Sequence, residues 1–510
     1  MSNNKVQRLS YLKLSAITAL IYQVVNIVYG LILPNLYLTH YGSEVNGLVS
    51  SIAQYLGLIS FCELGIGAVV QSALYKPLAN DDDVTVSCII KEAKNFFRKI
   101  ALLLCAYVVV LLFLFPLFIN KSFGIFTTCF LIIAIAINTF SEYYFGLTNQ
   151  ILLNADQKQY INYSVQIFCT VITAIASIIL INVGIKIEYV KLVTSLTLML
   201  RPLFLTLYVK KHYKINSEIV STKSLLTQKK SGIIHHIAYV IVDRTDVVVL
   251  SLMSTLTNVS IYYVYYMVVS GIRQVVTYTT SGIEAFLGHE LAKEEQKSVN
   301  DTFSYVEWGI HTCCTLIFSI TAVLILPFIT VYTRNITDAN YCIPIFAYLM
   351  VAAQYMYCIR LPYYMMIKAD GAYTQTRNSA AIEALVNVVV SVVLVKHFGL
   401  IGVAIGTLCA MAYRTLYFVI FLSKHILNRS IRIFMKQLII DFIVLIANYT
   451  LTLKCYLSSV SYYSWVLMAI QVSLIAILIC IFVNSIFCKQ YCISFIDKIK
   501  KKFQRKKYHI

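Results

Sequence analysis

The sequence predicts an all-α integral membrane protein of about fourteen transmembrane helices, built as two six-helix lobes related by a parallel pseudo-twofold, with a central cleft and two further C-terminal helices. Three observations carry this reading. The composition is 59% hydrophobic and only 13% charged, with a mean hydropathy of +0.75, outside the range of soluble domains. Apolar runs long enough to cross a bilayer recur along the whole chain. The 42 Lys and Arg are distributed very unevenly among the connections between those runs.

A crossing needs roughly 20 apolar residues. Runs of this kind fall at about 11–33, 45–72, 99–119, 125–151, 161–182, 189–209, 232–256, 260–287, 308–332, 342–367, 379–396, 400–422, 437–454 and 464–487. The first is too long for the core of a signal peptide and has no small-x-small cleavage site, so it is expected to stay as a helix. The longer connections, 73–98, 210–231, 288–307 and 423–436, all fall on one side. The 210–231 segment spaces lysines between apolar residues, which suits either an amphipathic surface helix or a charged tether.

With Met1 in the cytosol, 31 basic residues fall in or beside cytosolic segments, six fall outside, and five lie within spans. This is the positive-inside pattern, and an even number of spans returns both basic termini to the cytosol. The net charge of +19 is therefore matched to anionic membrane lipid. With no soluble domain or basic groove, nucleic acid is not expected as a partner. The fourteen cysteines are scattered, and neither Cys313–Cys314 nor Cys488 with Cys492 has metal-ligand spacing. Asp81–Asp83 reads as a solvated turn, and His235–His236 lacks a spaced third ligand, so no metal or cofactor is expected. There is no phosphate-binding loop, no nucleophile with its base, and no sizeable outer loop, where Arg334 and Asp338 form the one compact charged pair. An enzyme, including a membrane glycan polymerase or ligase, is disfavoured.

An internal repeat is visible. Asn154-Ala-Asp156 returns as Lys368-Ala-Asp370, an offset of 214, and Val45 falls on Val259. Arg201 and Arg414 are 213 apart. The expected organisation is a first lobe at 1–209, a basic linker at 210–231, a second lobe at 232–422, two appended helices within 423–488 and a basic tail at 489–510. Copies with even span counts enter the membrane in the same sense, as in parallel-repeat transporters.

Several short motifs occur in order over nearly 400 residues: Tyr41-Gly-Ser-Glu-Val-Asn-Gly-Leu48, Glu63-Leu-Gly-Ile-Gly67, Leu153-Asn-Ala-Asp156, Thr245-Asp246 with Val247-Val-Val-Leu-Ser251, Val259-Ser-Ile-Tyr262, and Gly399-Leu-Ile-Gly-Val-Ala-Ile-Gly-Thr407. In these the chain resembles the polysaccharide flippases, the Wzx-like O-antigen and capsule-repeat transporters of the multidrug/oligosaccharidyl-lipid/polysaccharide exporter superfamily. The resemblance implies a protein of the bacterial inner membrane that flips an undecaprenyl-diphosphate-linked oligosaccharide by alternating access. Its product would be O-antigen, capsule or exopolysaccharide. The implied partners are the lipid-linked oligosaccharide and the polysaccharide polymerase machinery, with a monomer sufficient. A cation-coupled multidrug or small-molecule antiporter of the same superfamily is the alternative.

Moving a diphosphate through hydrocarbon calls for a cation, and arginine offers bidentate donors. Arg244 and Arg273 lie near the middle of spans seven and eight, and Arg360 stands two residues before Pro362, where a kink is expected. These three are the candidate diphosphate ligands, and together they would confine the cationic site to the second lobe. Asp243, Asp246 or Glu284 pairing with them is the structural alternative. Arg201 and Arg414 are expected to be structural. Asp243 and Asp246 share a helix face. With Glu63 and Glu142 they are candidates for binding Na⁺ or H⁺ or for salt bridging, and Glu307 and Glu383 are further buried acids. Among 38 tyrosines, Tyr262, Tyr263, Tyr265 and Tyr266 are candidate sugar contacts, although tyrosine also favours interfaces between helices and at the membrane surface.

Overall fold

A computed structural model describes residues 2–119, 123–215, 230–280, 283–292, 295–494 and 497, and every regular element among them is helical. The chain divides into two compact units, Met1–Tyr263 and Val264–Ile510.

The first unit begins with α1 (Ser2–Gly57), which carries the first expected span and the opening part of the second. It turns at Gly42, where φ is 84° and ψ 172°, a backbone state open to glycine and strained for other residues. A 3₁₀ turn follows (Leu58–Glu63), then Leu64 and Gly65 in the left-handed region, and α2 (Ile66–Ala79). The second span is thus broken at the motif that begins with Glu63. Asp82 starts α3 (Asp83–Phe118) by accepting the Thr85 N–H at 3.0 Å. The side chain and backbone of Thr85 together hold its carboxyl below the usual carboxylate range. The fourth span runs as α4 (Ile125–Ser141), a π-turn (Glu142–Gly146) and α5 (Leu147–Ala155). Next come α6 (Gln159–Asn182), α7 (Ile187–His212), α8 (Lys230–Met253) and the start of α9 (Leu256–Thr280).

The interior of this unit is packed by Leu48, Ile52, Leu56, Val70, Phe97 and Phe115. Its outside is also apolar: Leu20, Phe113, Leu117 and Phe126 are each more than two-thirds exposed. Only hydrocarbon makes such a surface favourable. The Asn-Ala-Asp motif closes the α5–α6 turn, where Asp156 accepts from Tyr213 Oη at 2.5 Å and from Lys158 Nζ at 2.7 Å. Desolvation and this carboxylate raise the Tyr213 phenol. At Lys158, burial pulls the ammonium pKa down, but the Asp156 hydrogen bond and charge outweigh it, and the net shift is upward.

The second unit continues with α10 (Ile283–Leu291), α11 (Gln296–Tyr332), α12 (Pro344–Ile359) and α13 (Leu361–Asp370). It ends with α14 (Tyr373–Phe398), α15 (Leu400–His425), α16 (Arg432–Leu451) and α17 (Tyr462–Phe487). The tenth span breaks at Arg360, as Pro362 predicts. The fourth breaks at the π-turn ending on Gly146, 214 residues earlier, so the interruption follows the offset of the sequence repeat. Gly402 and Gly406 let α15 lie directly on the backbone of α14. A Cβ at Gly402 would stand 2.5 Å from the Leu394 carbonyl carbon, and one at Gly406 2.8 Å from the Ser391 nitrogen. This is the small-xxx-small packing of membrane helices.

The two appended helices are fastened to α11 by buried polar groups. Trp308 Nε1 donates to Asn484 Oδ1 at 2.7 Å, and His311 Nδ1 lies 2.6 Å from Asp441 Oδ2. Tyr355 Oη and Gln437 Nε2 also donate to Asp441, at 3.0 and 3.1 Å. Arg429 Nη1 pairs with Glu307 Oε2 at 2.7 Å, and Tyr363 donates to the same carboxylate. In an apolar medium an unsatisfied polar group is costly, so these contacts fix position as well as adding attraction.

Eleven helices among the described residues are long and apolar enough to cross a membrane by length and composition. Fourteen expected spans reduce to eleven for physical reasons. α1 counts once while covering two, α8 carries Asp243, Arg244 and Asp246 in its centre, and α9 is rich in tyrosine and hydroxyl side chains. The chain is a polytopic membrane protein. Residues 216–229 of the expected linker and 495, 496 and 498–510 of the tail lie outside the described residues.

The contacts divide the chain within α9. The second lobe is expected to open at 232, but α8 and the start of α9 associate with the first unit. Their contacts to α1 explain this: Asn46 Nδ2 donates to Ser260 at 2.7 Å and Tyr55 Oη lies 3.1 Å from Ser251 Oγ. Gly47 faces the Leu256 backbone so closely that a Cβ there would lie 2.6 Å from the carbonyl carbon.

Candidate cationic sites in the membrane

In the first unit the central group is Arg244. α8 directs it toward α1, where Nη1 donates to Gln54 Oε1 at 2.7 Å. The guanidinium occupies the space beside Gly57. Asp243 Oδ2 is 3.7 Å from Nε, a loose pairing that leaves the guanidinium side chain 31% exposed. Asp246, one turn on, is buried and accepts from Tyr262 Oη at 2.9 Å. Tyr263 stands close enough to act electrostatically on Arg244 and on Tyr29.

The broken second and fourth spans of this unit meet through side chains. Tyr143, in the π-turn, donates to Glu63 at the end of the 3₁₀ turn. His236 Nε2 lies 2.9 Å from the Ser60 carbonyl, so that histidine is engaged by the backbone of the 3₁₀ turn. Glu142 pairs with Arg201 at 3.6 Å, and Arg201 Nη2 donates to Asn162 at 3.3 Å. With the Gln150 amide oriented to satisfy both its ends, its oxygen accepts from Arg201 at 2.9 Å.

In the second unit, Arg273 and Arg360 approach the same aromatic ring. Their guanidinium carbons lie 5.2 and 4.5 Å from the centroid of Tyr357. Arg273 Nη2 also donates to Tyr266 Oη at 3.2 Å. Arg360 Nη1 is 2.5 Å from Glu383 Oε1, and Arg414 Nη1 is 3.4 Å from Glu383 Oε2. Three guanidinium groups are thus gathered around Tyr357 and Glu383. A cation–π contact contributes about 0.5–2 kcal/mol, depending on desolvation. That supplements ion pairing but does not replace it against the cost of burying a charge in hydrocarbon.

No protein-family model matches the sequence, and no curated protein matches it. Solved structures do. The lipid II flippase MurJ in an inward closed conformation aligns with a TM-score of 0.64 at 16% identity, covering 94% of this chain and 99% of that one. An inward-facing multidrug resistance MATE family transporter of the MOP superfamily aligns at 0.59 and 13% identity, over 79% of this chain and 95% of its own. The MATE multidrug transporter DinF-BH aligns at 0.52 and 14% identity, over 82% and 95%. The chain has the fold of these flippases and transporters.

Of the candidate diphosphate ligands, Arg273 and Arg360 come together at Tyr357, whereas Arg244 is held by the first unit. By the contact-based division of the chain, Arg244 lies in the first unit and Arg273 and Arg360 in the second. Among the tyrosines, Tyr262 is engaged with Asp246, and Tyr265 is fully buried with its hydroxyl on the Tyr341 carbonyl at 2.7 Å. Tyr263 and Tyr266 keep accessible surface and stand beside arginines. Glu284 pairs with Lys368. The site residues that sequence reasoning missed are Gln54, Tyr357 and Lys191. A polar residue on the apolar face of α1 could have flagged Gln54; nothing in the sequence distinguishes Tyr357 from its many fellow tyrosines.

Proposed function

We propose that this chain flips an undecaprenyl-diphosphate-linked oligosaccharide repeat across the bacterial inner membrane by alternating access, in the making of O-antigen, capsule or exopolysaccharide. The observation that carries the reading is the pair of arginines at Tyr357. Guanidinium groups supply bidentate donors for a diphosphate, and an aromatic face beside them suits the apolar side of a sugar ring. Arg244, partly exposed beside Tyr263, offers the first unit's cation for the same substrate, with Tyr263 and Tyr266 as sugar contacts. The fold shared with a lipid II flippase and with MATE transporters supports a transporter of this superfamily. Within it, guanidinium groups gathered in the membrane favour an anionic lipid over an organic cation.

The excess of Lys and Arg on the side of both termini supports, by the positive-inside rule, an orientation with both termini in the cytosol. Asp243, Asp246, Glu63 and Glu142 supply the carboxylates through which a Na⁺ or H⁺ gradient would drive reorientation. The basic loops would hold anionic lipid, the polymerase machinery would take the product, and a monomer suffices. The test is leaflet accessibility of labelled undecaprenyl-linked repeat in vesicles with and without the protein. Flipping should depend on it and vanish in an Arg244→Gln, Arg273→Gln double variant that still inserts. Transport of an organic cation without movement of the lipid would instead establish the antiporter.

A further inference from the structure

Most arginines enclosed in the two units stand near an acid or in an aromatic and arginine cluster, and Arg98 lies over the Tyr144 ring. Arg201 has Glu142, Arg244 has Asp243, Arg360 and Arg414 share Glu383, and Arg429 has Glu307. Lys191, one turn into α7, is different. Its Nζ sits 4.2 Å above the ring of Tyr37, and among the described residues no carboxylate lies within 4.0 Å of it. Glu188 precedes it by one turn on the same helix but acts on the Tyr41 hydroxyl. Tyr41 in turn donates to the Ile185 carbonyl at 2.5 Å.

A lysine near the end of a span commonly reaches outward to the membrane surface. Lys191 does the opposite. The ring under its ammonium belongs to Tyr37, which is only 5% exposed, so the charge lies against the inside of the unit. Lys191 itself keeps accessible surface, and its three N–H donors have no hydrogen-bond acceptor among the described residues. An aromatic face compensates an ammonium only partly, and the remainder falls to an incoming anion. Tyr37, Tyr29 and Tyr263 lie within electrostatic range of one another, and Tyr263 acts on Arg244. Lys191 on Tyr37 and Arg244 thus both belong to the first unit, with these tyrosines within electrostatic reach.

We propose that Lys191 on Tyr37 is a second anion-binding station of the first unit, which takes an anionic oxygen group of the lipid-linked saccharide. The inference rests on the proposed flippase reading. Two parts of such a substrate carry that chemistry: the carrier diphosphate, and a carboxylate on an acidic sugar. The ammonium would pair with the oxygen while the tyrosine faces carry the sugar ring, and the anion's other end would stay toward Arg244. Lys191 then acts as the station nearer the outer surface.

The experiment uses the full chain in nanodiscs and two probes, prenyl-diphosphate disaccharides ending in N-acetylglucosamine or in glucuronic acid. Binding is measured for the wild type, Lys191→Met and Lys191→Arg. A loss of tenfold or more in Lys191→Met for the glucuronic acid probe alone, restored in Lys191→Arg, assigns the station to a sugar carboxylate. An equal loss for both probes assigns it to the diphosphate. Affinities within twofold of wild type for both probes overturn the proposal while leaving the flippase reading intact. A wild type that binds neither probe overturns both. Should Lys191→Met fail to fold, lysine acetylation of the wild type decides: either probe must protect Lys191, and unchanged modification overturns the station.

Discussion

The guanidinium of Arg244 fills the space that a side chain at residue 57 would need: a Cβ on Gly57 would stand 2.6 Å from its Nη1 and 2.8 Å from its Cζ. The neighbour in this collision is the flexible end of a side chain, so the fold can accommodate it by moving the arginine. Gly57→Ala should leave the melting temperature nearly unchanged while reducing flipping roughly 10- to 100-fold, the worth of one or two charge-assisted hydrogen bonds. Parallel melting and leaflet-accessibility measurements on the variant check this. A variant that flips normally would mean that the position of Arg244 does not matter to transport.

At Gly406 the neighbours are the Ser391 hydroxyl and, behind it, backbone, and the outcome reverses. A Cβ there meets the Ser391 nitrogen at 2.8 Å and cannot be accommodated by a rotamer change. Gly406→Ala should separate α14 from α15 and destabilise the protein by about 1–3 kcal/mol. The expected readout is a lower unfolding midpoint in detergent, at unchanged insertion.

The hold of α11 on the last two helices can be tested through the native cysteines. Cys480 and Cys488 are buried in the cluster with Trp308, Ile440 and Val444. Asp441→Leu removes the acceptor shared by His311, Tyr355 and Gln437 and leaves three donors without it. Maleimide labelling of Cys480 and Cys488, with the other cysteines replaced, should rise several-fold in this variant. Labelling at the wild-type rate would show that apolar packing alone seats the two helices.

The Asp156–Lys158–Tyr213 cluster gives a pH dependence with a definite sign. Both the ammonium and the phenol have pKa values raised in the folded state. Their contribution to stability is therefore complete below their unfolded values, about 10 for both, and is lost as pH rises through the folded ones. Wild type should melt above Asp156→Asn at pH 8, and the difference should shrink above about pH 10. A gap that widens with pH would refute the assignment.

The helices were the legible part of this sequence. Run length marks out the long apolar segments, and Pro362 marks the break that the structure has at Arg360. Periodicity reports which face of a helix is apolar but not which helix that face meets. For that reason Glu383 could be named as a buried acid but not as the common partner of Arg360 and Arg414. The pairing of His311 with Asp441 crosses 130 residues of chain, and the attachment of α8 to the first unit depends on hydrogen bonds to α1 that no local pattern announces. Lys191 stands just inside the expected start of the sixth span (189–209), where a lysine reads as a boundary charge; only the Tyr37 ring beneath it shows that it turns inward.

The turn at Gly42 bears on how the first two crossings are joined. Thr39, His40, Ser43 and Glu44 surround it, so the link between the first two expected crossings is a polar tip of only a few residues. With a link that short, a side chain at residue 42 would strain both ends of the pair at once.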